Sequence, residues 1–554
     1  MKFCDECGRQ LEDGAQFCDR CGRSQAAVAT EPQSPPVAVE SASTDKIPFA
    51  WNLPELPVVW KAVILFVVAI CARILFLEWV GMDYVGWYAD SYHHWQIAFY
   101  TLHIGLAQNP PRMWDLSGQE YFWGLLPTLT ESLLLYIFNS TSLVPFRLFN
   151  SVTGSISVVL IYLLGRRFFD DRMGLLAGVT SALSPVLWEV DTSGMLDPMG
   201  ITLLLLGLLL YKKRNYLTGL VLGLASLVHI EYWFLSLAVI AFYLVYERSG
   251  IEFLPAIFGW LTPMAPYFYV MQIQTGDALY ALHYNLVSSV VGEWITGLSV
   301  PMVYQILPRA AFLLIFAACV ICVIWMIRRI PPSYPFHSFF LARVSMQGII
   351  FGMTAYVVPY IAFGQIPRVL IDRLFAIDYY YIPFVVALVA TWLIRRRHFH
   401  FEVPEPHLGS EIRVKSGAIM VILLLFNGAL FPLVISQYYT TYGSYENQLE
   451  MADFIASHYH GGTIINSLVT VNYRLINDGI PLQNVFGTLY CPAAGGRDAY
   501  AWLVLHNVTW VIPDSNLQVC FPSLLQSNTA PFHLAYGTFV YTVNQQELAR
   551  LAGP

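Results

Sequence analysis

Long apolar runs broken by short polar clusters dominate residues 58–436. A helix of about 20 apolar residues spans the hydrocarbon of a bilayer. Candidate spans fall near 58–80, 146–164, 173–190, 198–211, 216–231, 233–246, 251–271, 305–327, 340–363, 379–394 and 417–436. The shortest of them require tilt or local thinning. From about residue 437 the pattern changes. Met451 to Ser457 reads as a helix, and Gly462–Ile465, Leu503–Leu505, Val508–Ile512 and Phe539–Val543 read as strands. The pattern therefore predicts a polytopic α-helical membrane protein of about eleven spans, followed by a small α/β domain over 437–554.

Composition agrees. The chain is 56% hydrophobic and 12% charged, whereas a soluble domain averages about 25% charged residues. A net charge of −7 over 554 residues argues against a nucleic-acid surface.

Charge orients the bundle. Arg166, Arg167 and Arg172 follow the second span, and Lys212, Lys213 and Arg214 follow the fourth. Arg328 and Arg329 follow the eighth, and Arg395 to Arg397 the tenth. With a cytosolic N-terminus every cluster falls on the cytosolic side, as basic loops prefer. Residues 121–138 are apolar enough to mimic another span. If they crossed, every later cluster would be placed outside. They are therefore read as a helix lying on or dipping into the outer face. This makes 81–145 one external loop and places 437–554 outside. The expected location is the plasma membrane, multi-pass.

The N-terminus opens on no signal-peptide pattern. It carries two knuckles, Cys4-Asp-Glu-Cys7-Gly8 and Cys18-Asp-Arg-Cys21-Gly22. Four thiolates converging on one point match structural Zn²⁺. A redox or disulfide pair of hairpins is the alternative, and it lacks the βαβ context of thioredoxin-like motifs. The knuckles resemble the zinc-ribbon family, with Cys4, Cys7, Cys18 and Cys21 as ligands. So small a segment has almost no core, and metal binding must supply its folding energy. Reduced thiolates again imply a cytosolic N-terminus. The domains are therefore 1–24 as the ribbon, 25–57 as a linker rich in Ala, Pro and Ser, 58–436 as the membrane domain and 437–554 as the outer domain.

On this topology carboxylates gather in the external loops. The first holds Asp83 and Asp90-Ser-Tyr-His93-His94-Trp95, and the second runs from Glu189 through Asp191 to Asp197-Pro198. A third carries His229 and Glu231, a fourth Asp277 and Glu293, and a fifth Arg368, Asp372 and Arg373. An acid at the edge of an apolar span is costly, so such groups usually work or are paired. Bland readings exist for several. Asp197 before Pro198 is a good helix N-cap. Arg368 and Arg373 suit interfacial arginines snorkelling to headgroups. His93 and His94 lie three and four residues after Asp90, on one face if that stretch is helical. Beside Asp90, the tryptophan, tyrosines and histidines form a surface suited to a sugar.

The external Asp90, the segment Asp191-Thr-Ser-Gly-Met-Leu-Asp197-Pro198, the motifs Arg147-Leu-Phe-Asn and Gly165-Arg-Arg-Phe-Phe, and the late Arg373 together resemble the GT-C superfamily. The likeness is to family 39 protein mannosyltransferases and lipid-A aminoarabinose transferases, over about 58–436. Many members carry adjacent Asp-Glu in the first loop. Here Ser91 follows Asp90, which weakens assignment to the protein O-mannosyl branch. The resemblance implies a polyprenyl-phosphate sugar donor and an acceptor (protein, lipid or glycan) on the extracytosolic face. Asp90 is then expected to act as general base in an inverting transfer, and Arg373 with Arg368 to hold the lipid phosphate. Asp191 and Asp197 would shape the sugar site or help hold Mg²⁺ or Mn²⁺, with His93, His94 and Glu231 also contacting substrate. The alternative from another class is a transporter or flippase of lipid-linked sugars. It predicts ionisable residues deep in spans and repeat symmetry.

Overall fold

In a computed structural model, the chain divides into two compact units, Met1–Leu56 and Pro57–Pro554. The structure describes residues 2–3, 10–11, 56–82, 90–103, 123–168, 171–245 and 249–282. It also describes 425, 428, 445–466, 468–486, 497–513, 521, 531–537 and 540–553. The candidate spans at 305–327, 340–363 and 379–394 lie outside these residues, as does almost all of that at 417–436. So do Arg368 and Arg373.

In the first unit, β1 (Lys2–Phe3) pairs antiparallel with β2 (Gln10–Leu11), joining Phe3 to Gln10 across the first cysteine knuckle. In the second, α1 (Val58–Val80) has 23 residues, about 34 Å of helix, which matches the hydrocarbon thickness. Then come α2 (Asp90–His103), α3 (Leu125–Phe138) and α4 (Val144–Phe168). Next are α5 (Asp171–Ala182), α6 (Pro185–Thr192) and α7 (Asp197–Leu210). The described bundle ends with α8 (Asn215–Ser226), α9 (Glu231–Val245) and α10 (Gly250–Thr275). Among the described helices, Val58–Val80 and Val144–Arg167 are each long and apolar enough to cross a membrane alone.

The expected span at 173–190 is broken. α5 and α6 meet at a 62° bend, because Pro185 opens α6 and Ser184 before it is extended (ψ 115°). Among the described residues of 121–138, expected not to cross, the helix is the 14-residue α3. Helices α8 and α10 touch backbone to backbone. A Cβ at Gly219 would lie 1.8 Å from the Ala256 carbonyl oxygen, and one at Gly259 would lie 2.1 Å from that of Tyr216. Small residues permit such close crossings inside a membrane, where apolar burial drives little association.

Among the described residues, the basic clusters at 166–172 and 212–214 share one end of the bundle. Arg167 on α4 donates to the Tyr211 carbonyl at 2.7 Å and also to that of Leu209. Lys61, near the start of α1, pairs with Asp171, which accepts from the Tyr162 hydroxyl at 2.9 Å.

After the bundle, a helix over 445–457 (α11) precedes β3 (Thr463–Asn466), α12 (Val469–Asn477) and β4 (Val485–Phe486). Then follow α13 (Arg497–Leu505), β5 (Val508–Ile512), β6 (Phe532–Tyr536), β7 (Val540–Val543) and α14 (Gln545–Ala552). The strands form one mixed sheet in the order β4-β3-β5-β7-β6, with the β4-β3-β5 part parallel. The helix at 451–457 and three of the expected strands are present. Leu503–Leu505 is helical instead. Three apolar residues fit either period. In the helix Leu503 reaches the small core around Phe521 and Phe532, while Leu505 is exposed.

Candidate active site

Asp90 is the first residue of α2, and His93 and His94 follow on the same helix, as their spacing predicts. Asp90 is half-buried, whereas both histidines are buried. Their rings lie 5.9 Å apart, and the Trp123 ring packs edge-on at 5.7 Å from His93 and 5.1 Å from His94. Trp123 also contacts His229 at 5.9 Å. Gly124 makes this possible. At φ +119° it brings the chain against the α8–α9 turn, where a Cβ would meet the Val228 carbonyl oxygen at 2.1 Å. The Leu126 amide then donates to the Leu227 carbonyl at 3.1 Å. The first and third acidic loops are thus joined through aromatic rings, and Glu231 opens α9 beside them.

The third loop also meets the second, because the Tyr232 hydroxyl donates to the Asp197 carbonyl at 3.3 Å. Asp197 is the first residue of α7. Leu196 holds the cap position, and Pro198 lies in the first turn. Glu189 and Asp191, expected in a loop, lie on α6 and are buried. Asp191 accepts at Oδ2 from Arg73 of α1, through Nε at 2.8 Å and Nη2 at 2.6 Å. Both side chains are wholly buried. The signal for Arg73 was in the sequence: a guanidinium inside the first apolar run needs a partner.

Other members of the site appear only in three dimensions. Arg147 on α4 is buried, donates to the Met82 carbonyl at 2.9 Å and acts electrostatically on the buried Glu131 of α3. Trp95 and Tyr92, read as part of a sugar surface, are core residues. The Trp95 indole donates to the Thr141 carbonyl at 2.9 Å, and Tyr473 of α12 packs on both rings at 4.7 and 4.8 Å. Asn472 donates to Gln96 of α2 at 3.2 Å, and the Leu143 amide donates to the Tyr473 hydroxyl at 3.2 Å. The sheet-bearing part therefore seats on the helix that begins at Asp90. At the far end of α2, partial burial pulls His103 below the ordinary imidazole range. Among the described residues, no three His, Cys, Asp or Glu side chains gather as a metal site.

This arrangement of acids at and near helix ends on a helical membrane frame is similar to a GT-C fold. The crystal structure of ArnT from Cupriavidus metallidurans in the apo state is similar over 90% of this chain and 100% of that one, at 14% identity and a TM-score of 0.50. The same protein bound to undecaprenyl phosphate matches 90% of this chain and 99% of that one, at 14% identity and a TM-score of 0.47. The Archaeoglobus fulgidus oligosaccharyltransferase in its apo form matches 83% and 70%, at 11% identity and a TM-score of 0.46. By sequence, residues 124–271 match the family described as dolichyl-phosphate-mannose-protein mannosyltransferase, and residues 3–25 match a zinc-ribbon domain. No curated protein matches the chain. The resemblance read from the acidic loops and from the cysteine knuckles is borne out.

The donor chemistry of the ribbon fits zinc: four cysteine thiols, with the β1–β2 hairpin closing behind the first pair. The cysteines themselves lie outside the described residues. Elemental analysis of the purified full chain is expected to find about one zinc per chain. Cys18→Ser is expected to lose it and to expose 1–24 to protease while leaving the membrane part folded. Retention of full zinc by that variant would remove Cys18 from the ligand set.

Proposed function

We propose that the protein is an inverting membrane glycosyltransferase that moves a sugar from a polyprenyl-phosphate donor to an acceptor on the extracytosolic face. The supporting observation is that the mannosyltransferase match over 124–271 spans α3 to α10. That stretch carries Asp191, Asp197, His229 and Glu231 and packs against the start of α2. Asp90 takes the proton of the acceptor hydroxyl. The acceptor oxygen attacks the anomeric carbon from behind, the carbon–oxygen bond to phosphate breaks, and polyprenyl phosphate leaves. Arg373 and Arg368 hold that phosphate by charge-assisted hydrogen bonds. With Oδ2 of Asp191 taken by Arg73, Asp191 shapes the second acidic segment. Asp197 is the member of that segment assigned to Mg²⁺ or Mn²⁺ at the donor phosphate. His93, His94 and Glu231 border the sugar. The acceptor is a protein, lipid or glycan.

The same end-to-end arrangement supports the orientation. Arg167 meets the Tyr211 end of α7 on the side where Lys61 starts α1, which suits the cytosol. Tyr473 meets α2 on the other side, so 437–554 is assigned to the exterior together with Asp90. A flippase of lipid-linked sugars would use ionisable groups within spans. Arg73 is such a group, but it is bonded to Asp191 and to the Ala69 carbonyl and is wholly buried.

The test is reconstitution of the full chain in lipid vesicles with a panel of undecaprenyl- and dolichyl-phosphate sugars. Release of polyprenyl phosphate coupled to a glycosylated product supports the reading. Movement of intact labelled donor between leaflets without cleavage favours the flippase and overturns it.

A further inference from the structure

The motif Arg147-Leu-Phe-Asn150 and the glycine one turn beyond it touch both acidic segments from one face of α4. The Arg147 Nη1 donates to the Met82 carbonyl at 2.9 Å, and its guanidinium carbon lies 6.0 Å from the centre of the Tyr92 ring. One side chain thus meets the chain at Met82, before the connection that ends at Asp90, and again at Tyr92, just after it. Three residues on, the Asn150 Nδ2 donates to the Met195 carbonyl at 2.6 Å, inside the turn between α6 and α7. Both residues are wholly buried. At Gly154 an added Cβ would stand 2.2 Å from Asp191 Cγ, so the carboxylate held by Arg73 lies directly on the α4 backbone. Positions 147, 150 and 154 fall on one helical face and span about 10 Å along the axis. A continuous hydrogen-bonded helix keeps that separation fixed.

We propose that this face of α4 is a template that sets the Asp90 segment in register against the Asp191–Asp197 segment, with Arg147 and Asn150 as positioning residues. Arg147 suits the task because a planar guanidinium can donate to a carbonyl while lying over a ring, which a lysine ammonium does not reproduce. Asn150 suits it because a buried carbonyl in a turn needs a donor. For its kinetic part the proposal rests on the transferase reading, since two groups serving one transition state must be held together to within a fraction of an ångström. A misplacement of 1 Å costs about 10²-fold in rate.

The experiment compares the full chain in lipid nanodiscs with Arg147→Lys, Asn150→Ala and the double variant. Hydrogen exchange is expected to rise in the Met82 and 90–92 amides for Arg147→Lys, and in 193–197 for Asn150→Ala, with residues 155–165 of α4 unchanged. Unchanged exchange in those segments, or acceleration throughout the bundle, would overturn the template. In the transfer assay each single variant is expected to lose about 10- to 100-fold in kcat, with KM for the donor little changed. Because both residues serve one alignment, the double variant should lose less than the product of the two. Losses that multiply, or a normal kcat in both single variants, would reject the positioning role. If wild-type protein transfers no sugar while the exchange results hold, the transferase reading falls and the template stands.

Discussion

Asp90→Asn is expected to lower turnover by about 10²–10⁴-fold, the usual contribution of a general base, while the donor KM stays near its wild-type value. A lipid-phosphate sugar already has a good leaving group, so the weak partner is the acceptor hydroxyl, and a carboxamide takes no proton from it. The substitution separates chemistry from architecture. Asp90 opens α2, where an acid favours the helix N-terminus, a term of about 0.3–1 kcal/mol that sets the small cost of the carboxamide to the fold. Loss of kcat with a nearly unchanged unfolding midpoint would therefore locate the defect in proton transfer. Near-normal turnover would remove Asp90 from the base role.

Arg73→Leu should destabilise the bundle by about 3–5 kcal/mol, the cost of leaving one member of a buried ion pair without its partner. The Asp191 carboxylate, packed on Gly154 and bonded through Oδ2 to the guanidinium, would face a site that no longer compensates its charge. The measurement is thermal or denaturant unfolding of the full chain in nanodiscs. Adding Asp191→Asn to Arg73→Leu should recover much of that loss by removing the stranded charge. An unchanged midpoint for the single variant would mean that water or a rearranged side chain reaches Asp191, and the pair would not be structural.

Much of this was legible along the chain. The 23-residue apolar run at Val58–Val80 sets a spanning helix by length alone, because in hydrocarbon the backbone must satisfy its own hydrogen bonds. The paired Cys-x-x-Cys knuckles name a ribbon through ligand count, and the three- and four-residue spacing from Asp90 to His93 and His94 places them on one helix by period. These are local properties, fixed by the period and spacing of neighbouring residues. Other features are not local. Ser184–Pro185 bends what composition presents as one span, and Leu503–Leu505 takes the helical period because Leu503 finds a core beside Phe521 and Phe532.

The partners of the acids were decided only in three dimensions. Arg73 and Asp191 are 118 residues apart, and Asn472 and Gln96 are 376 apart. Trp123 reaches His93, His94 and His229 only because Gly124 adopts a left-handed backbone against the Val228 carbonyl. Composition and period reveal which residues are costly to bury. Which distant group repays that cost depends on how helices cross, and crossings are set by the shapes of the packed faces.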